Sequence, residues 1–222
     1  MKVAHEKFSS LSSAMAAEDR IWLAGAPGSW AWTCANGLSV PASALRLKNF
    51  AAAAERSRIR GWPVVVRCTG GGCVPQGPGI LNFGVMTRSS LSADHLYARF
   101  AQSIIDATAR FGARSSIFTP EGAWCEGRYD LSIARRKFCG LSQRRSVGTH
   151  LRPAFIHAAI FVCPDLDTAF TAMRRFLTEA GARSTPDRQA ATSLAAHLEA
   201  PNAKLAEQLM GSLSQCIEGM FD

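Results

Sequence analysis

The segment VVVRCTGGGCVPQGPGILNFGVM, residues 64–86, sets Gly70, Gly71 and Gly72 in a row between two apolar runs and stiffens the exit with Pro75 and Pro78. A tight hairpin needs only one or two glycines. Three together leave main chain without side chains, free to adopt positive φ angles and open to close approach. Consecutive peptide N–H groups in such a loop form a concavity for an anion, and the same donors stabilise a developing oxyanion. No Gly-Lys-Ser/Thr follows, as a Walker A loop requires, and the run is not a GxGxxG turn opening a helix. Taken alone, the loop also reads as a wide hairpin connection.

The elements that must position this loop are legible in outline. PVVVRC and ILNFGVM, on either side of it, read as strands. Residues 9–24 read as a helix, and GSWAWTCANGLSVPAS as a short hairpin broken at Asn36-Gly37. LKNFAAAAERSRIRG is a helix with Gly61 as its C′ residue. Ser92 caps a longer helix whose Leu96, Phe100, Ile104 and Ala107 share one face, with Gly112 at its end. RYDLSIARRKFCGLSQRR reads as two strands about Arg135-Arg136, and FIHAAIFV as a buried strand. Three helices are expected at 167–180, 188–198 and 202–220, the last presenting Leu205, Leu209, Leu213, Cys216 and Ile217 at helical spacing. Strands interrupted by helices, with an antiparallel tendency, give an α+β fold with a mixed, largely antiparallel sheet flanked by helices.

Composition narrows the class. The chain has 222 residues, 47% apolar and 19% charged, which supports a sizeable core in one domain spanning 1–222. A net charge of +8 points to an anionic partner: nucleic acid, a phosphorylated small molecule or an acidic protein surface. Seven cysteines, at 34, 68, 73, 125, 139, 163 and 216, form no CxxC pair and no zinc spacing, so no metal site is expected. The N-terminal stretch lacks the apolar core of a signal peptide, and no apolar run reaches the ~20 residues of a membrane helix. The expectation is a soluble, cytoplasmic protein with free thiols and no membrane partner.

RCTGGGCVPQGPGILNF resembles the substrate loop of the lipoate-protein ligase and octanoyltransferase family, within the biotin/lipoate ligase catalytic-domain superfamily. Arg67, Thr69, Gly70, Gly71, Gly72, Val74, Gly79 and Asn82 fit the family run. A second block, CEGRYDLSIARRKFCGLSQRR, is similar to the family segment bearing a central lysine, which falls on Lys137 and is followed by Gly140. A third, IHAAIFVCPDLD, is similar to the family's His-Gly strand, with His157 on the matching histidine, and ATSL (Ala191 to Leu194) is similar to a short run before the final helices. The blocks stand in order from about Ser13 onward. Two positions depart from the pattern: Cys68 replaces the usual second arginine, and Gln76 stands where histidine is common.

The resemblance implies a biotin/lipoyl-ligase-type domain that moves an octanoyl or lipoyl group onto a lysine of an acidic lipoyl carrier domain, of the 2-oxoacid dehydrogenase or glycine-cleavage H protein type. Two routes are implied. In one, a thioester donor acylates a cysteine, and Cys125 is the candidate nucleophile; no cofactor is tightly bound. In the other, ATP and Mg2+ activate free acid as lipoyl-AMP. Without room for a C-terminal accessory domain that supports adenylation, the thioester route is preferred. Lys137 would then favour the Cys125 thiolate and hold the thioester carbonyl, and His157 would accept a proton. The remaining candidates, Arg67, Thr69, Gly70, Gly71, Gly72, Val74, Gln76, Gly79, Asn82 and Gly140, would bind substrate. Cys139 is expected in the core and Cys68 and Cys73 to pack. Arg135, Arg136, Arg144 and Arg145 form a basic cluster to dock the carrier. Biotin transfer ranks below these readings. A non-catalytic binder of acylated carrier or nucleic acid ranks lower still, since arginines do not alternate with aromatics along a strand as single-stranded nucleic-acid binding would want.

Overall fold

The computed structural model describes residues 4–147, 151–199 and 201–218. Among these residues ten strands form two sheets. The larger is built from β1 (Ala4–Phe8), β2 (Gly28–Cys34), β6 (Ile80–Ser89), β7 (Ser115–Ile117), β8 (Leu131–Ile133), β9 (Arg136–Arg145) and β10 (Arg152–Phe161), in the order β1-β2-β6-β10-β9-β8-β7. All its pairs are antiparallel except β1 with β2. The smaller has the order β4-β3-β5, from β3 (Gly37–Pro41), β4 (Val64–Arg67) and β5 (Val74–Gln76).

Local chemistry sets the helices. Ser10 caps α1 (Leu11–Ala24) by accepting from Ser13 N–H, and Gly25 closes it in the left-handed conformation. Ser92 accepts from His95 N–H at the start of α3 (Ala93–Ala109), whose Leu96, Phe100, Ile104 and Ala107 are all buried, as their spacing predicts. These residues, with Leu205, Leu209 and Leu213 of α5 (Leu205–Cys216), cover one face of the large sheet. α1 packs on Trp30, Trp32, Met86 and Phe155 of the other face. The small sheet lies with α2 (Phe50–Ile59) and α4 (Leu166–Ala180) in a further core that includes Phe161.

Several expectations change. Asn36-Gly37 does not close a hairpin, because β2 joins the large sheet and β3 the small one. The strands on either side of the glycine loop likewise part: β4 enters the small sheet, the loop returns through β5, and β6 crosses to the large sheet. The glycine loop therefore joins β4 to β5 within the small sheet, and residues 77–79 make the crossover between sheets. No helix spans 188–198; two 3-10 turns, Arg188–Ala190 and Ala195–His197, flank an extended run. Main-chain bonds explain it, for Thr192 N–H donates to Lys137 O, Leu194 N–H to Phe161 O and Ala195 N–H to Val162 O. Those bonds outweigh the modest helix preference of an alanine-rich segment. The last helix is α5, Leu205–Cys216, shorter than the expected 202–220, of which 219 and 220 lie outside the described residues.

Candidate active site

Two rungs of the large sheet make a floor. Trp32, Asn82, Ala159 and Gly140 pair in one row across β2, β6, β10 and β9, and Trp30, Gly84, His157 and Ser142 in the next. Small residues at 140 and 159 leave space above the first row. The glycine loop and the segment around Cys125 close that space into a cavity of about 390 Å3. Its walls include the predicted residues Arg67, Gly70, Gly71, Val74 and Gln76 on the loop side. Asn82, Gly140 and His157 line the sheet side, and Cys125 stands between.

Two of the three glycines, Gly71 and Gly72, are explained by the cysteine. Cys125 has φ 45°, the left-handed region, where a non-glycine residue costs roughly 1–3 kcal/mol. In that conformation its Sγ accepts a hydrogen bond from Gly72 N–H at 3.0 Å. A Cβ on Gly71, itself at φ 97°, would come within 2.5 Å of the sulfur, and one on Gly72 within 3.1 Å of Cys125 Cα. The buried Arg67 shapes the loop from behind. Its Nη1 donates to Ser39 O at 2.8 Å, and its Nη2 to Gly70 O and Gly72 O, both at 2.7 Å. The same Nη2 lies 3.8 Å from Cys125 Sγ.

Lys137 is wholly buried, and its position depends on a β-bulge. The register between β8 and β9 shifts at Leu131/Ser132, which resets the alternation so that Lys137 and Gly140 share a face. A Cβ on Gly140 would meet Lys137 Nζ at 3.2 Å, so the ammonium lies just beneath the cavity floor. Its three donors go to Trp124 O at 2.7 Å, Cys125 O at 2.8 Å and Asp130 Oδ2 at 2.7 Å. The indole of Trp124 covers it at 4.1 Å and stacks on Phe161. Asp130 also accepts from Gly127 N–H at 2.9 Å, closing the turn that follows Cys125. Burial pushes the Asp130 carboxyl above the usual carboxylate range, against the opposing pull of Lys137. Lys137 therefore grips the main chain of the cysteine segment rather than pointing a free ammonium into the cavity.

Other candidates fall in different places. Gln76 and Asn82 exchange two amide hydrogen bonds, Gln76 Nε2 to Asn82 Oδ1 at 3.1 Å and Asn82 Nδ2 to Gln76 Oε1 at 2.7 Å. Thr69 is buried outside the cavity wall, with no hydrogen bond to its Oγ1 among the described residues. Gly79 is a turn glycine at φ 81°, where a Cβ would strike Cys163 at 2.5 Å; it stands away from the cavity. Cys139 is core as expected, and Cys73 is buried and its thiol pushed up to about 12 by that burial. Cys68, expected to pack, is exposed and lies 3.3 Å from Arg144 Nη1. The four arginines do not form one cluster. Arg135 and Arg136 sit at one end of β9 and Arg144 and Arg145 at the other, about 30 Å apart at strand rise. Among the described residues no group of three or more His, Cys, Asp or Glu could hold a metal ion, and no helix is long and apolar enough to cross a membrane.

Sequence reasoning missed Glu18, Trp32, Trp124 and Asp130. Glu18 comes from α1, some 140 residues from its partner His157, whose Nδ1 lies 3.2 Å from Glu18 Oε1. Asp130 stands seven residues before Lys137 in the quoted block, and an acid at a strand start beside a buried lysine was the one readable signal.

Comparison with known proteins bears on the family and the fold. The profile of the lipoyl protein ligase A/B catalytic domain matches residues 47–214. An octanoyl-[GcvH]:protein N-octanoyltransferase of Geobacillus kaustophilus is 32% identical over 120 residues, covering 53% of this chain and 42% of its own length. The chain spans less than half the length of the curated relatives it matches first. Among solved structures, a lipoate-protein ligase A bound with ATP superposes with TM-score 0.75 at 14% identity, covering 97% of this chain and 85% of its own. The bipartite lipoate protein ligase of Thermoplasma acidophilum, described with its E2 lipoyl domain, superposes with TM-score 0.66 at 14% identity, covering 100% and 86%. At that identity the structures speak for the fold alone. The profile match covers most of the chain, and the chain belongs to the lipoyl protein ligase A/B catalytic domain family.

Proposed function

We propose that the protein transfers an octanoyl or lipoyl group from a thioester donor to a lysine of a lipoyl carrier domain, through an acyl thioester on Cys125. The observation that carries this reading is the placement of Cys125 Sγ in the cavity wall, 3.0 Å from the Gly72 N–H. The relatives named octanoyl-[GcvH]:protein N-octanoyltransferases support the chemical class.

The steps follow from the residues. Cys125 sulfur attacks the donor carbonyl, and the donor thiol leaves with a proton. The Gly72 N–H, 3.0 Å from the sulfur, and the Arg67 guanidinium, 3.8 Å from it, would face the negative charge that develops as the thiol reacts, a contribution of roughly 3 kcal/mol for a well-aimed main-chain donor. The acyl chain lies over Gly140 and Ala159 toward the Gln76–Asn82 pair. Lys137 and Asp130 hold the Cys125 peptide in its left-handed conformation and so fix the sulfur against the loop. The carrier amine then attacks the acyl carbon and Cys125 departs.

The test compares octanoyl thioester with octanoate plus ATP and Mg2+ as donors. Carrier octanoylation from the thioester alone, lost in Cys125→Ser, is expected. Activity only with ATP, or activity retained in Cys125→Ser, would replace this reading by the adenylate route.

A further inference from the structure

The cavity holds a second titratable constellation, outside the cysteine–lysine region. On the floor's second rung His157 pairs with Ser142 on β9 and Gly84 on β6. Its Nδ1 is 3.2 Å from Glu18 Oε1, and the same carboxylate oxygen accepts from Trp32 Nε1 at 3.1 Å. Glu18 is buried to the level of a core residue and lines the cavity together with His157 and Trp32. A carboxylate oxygen only accepts, so Nδ1 carries the proton in this contact, which in the neutral imidazole leaves the lone pair on Nε2. Nε2 is buried and has no hydrogen-bond partner among the described residues. An imidazole held through one nitrogen, with the other unpartnered in a cavity wall, is the arrangement of a proton acceptor.

We infer that His157, oriented by Glu18, is the general base for the aminolysis half-reaction. The inference rests on the acyl-Cys125 reading above. A lysine side chain arrives as an ammonium and cannot attack until it loses a proton. His157 Nε2 takes that proton. The freed amine nitrogen forms a bond to the acyl carbon, the C–S bond breaks with its electron pair going to Cys125 sulfur, and the second proton lost by nitrogen passes to the sulfur. The products are the amide, the free thiol and a protonated imidazole, which returns its proton to solvent. Glu18 acts through His157 as a positioning residue, and its negative charge stabilises the imidazolium as it forms. His157 lies one strand and two residues from Gly140, and both line the cavity that Cys125 borders. Lys137 is no candidate for this role, since its three donors are already engaged and it offers no lone pair.

His157→Asn tests the assignment, because the amide nitrogen can keep the contact with Glu18 while Nε2 is lost. The protein is loaded with octanoyl thioester, and single-turnover decay of the acyl-enzyme is followed with carrier lysine and, separately, with hydroxylamine, a nucleophile already uncharged at neutral pH. The expected result is an acyl-enzyme that forms, transfers to the carrier about 100-fold more slowly, as general-base loss typically gives, and reacts with hydroxylamine at the unaltered rate. Glu18→Gln should show the same selective defect to a smaller extent. Equal slowing with both nucleophiles, or unaltered transfer to carrier, would overturn the assignment while leaving the acyl-enzyme intact. Failure of the unsubstituted protein to form an acyl-enzyme would instead refute the reading on which it rests.

Discussion

The Lys137 ammonium shares the deepest part of the site with the Asp130 carboxylate, both essentially inaccessible to water. A buried pair is not in itself stabilising, because desolvation offsets the attraction, but removing one partner leaves an uncompensated charge. Lys137→Met is therefore expected to destabilise the fold by about 3–5 kcal/mol. The double substitution Lys137→Met with Asp130→Asn should recover part of that loss, as read by urea denaturation. Both variants should lose thioester formation on Cys125, since neither retains the donor to Cys125 O that anchors its strained main chain. Additive losses in the cycle would refute a coupled pair. Lys137 itself was legible in the sequence by resemblance. Its role was not, because a lysine reads as a free charge until its three acceptors are seen. Glu18 was invisible for the same reason, and Asp130 showed only as an acid seven residues before the lysine: each acquires its meaning from the partner that folding brings to it.

At the scale of elements, the glycine loop and the turn bearing Cys125 are complementary surfaces, and the three glycines are not equivalent. Gly71 needs a positive φ and has the cysteine sulfur on it, whereas a Cβ at Gly70 would meet nothing within 4 Å. Gly71→Ala is expected to reduce acyl-enzyme formation by at least 100-fold, and Gly70→Ala to leave it within a few-fold, in a single-turnover thioester assay. Equal sensitivity at both positions would mean that loop flexibility, rather than contact with Cys125, is what the glycines provide. Element types were largely readable, since the capped helices and the apolar strand of His157 carry their own periodicity. The assignment of neighbouring strands to separate sheets was not, for nothing local at Asn36-Gly37 distinguishes a hairpin from a crossover. The stretch from Thr192 to Ala195 escaped for a related reason, because main-chain bonds to Lys137, Phe161 and Val162 draw it out of helix.

Across the whole molecule, the net charge of +8 is distributed rather than gathered into the single arginine patch that the sequence suggested. Arg144 follows Ser142 by two residues on the strand that floors the cavity, packs over Trp22 at 4.5 Å and pairs with Asp19 at 3.2 Å. Arg135 lies at the far end of that strand, over Phe118. If an acidic carrier docks on the cavity side, Arg144→Ala should raise the KM for the carrier several-fold and flatten its dependence on salt, while Arg135→Ala does neither. Steady-state kinetics at two ionic strengths would read the difference, and equal effects would place the carrier elsewhere. One measurement bears most directly on the account as a whole. After brief exposure of the protein to an octanoyl thioester, proteolysis and peptide mass spectrometry should find the octanoyl group on the peptide holding Cys125 and discharge it when carrier is added. An octanoyl group confined to one of the other six cysteines, or no acylated peptide at all, would contradict it.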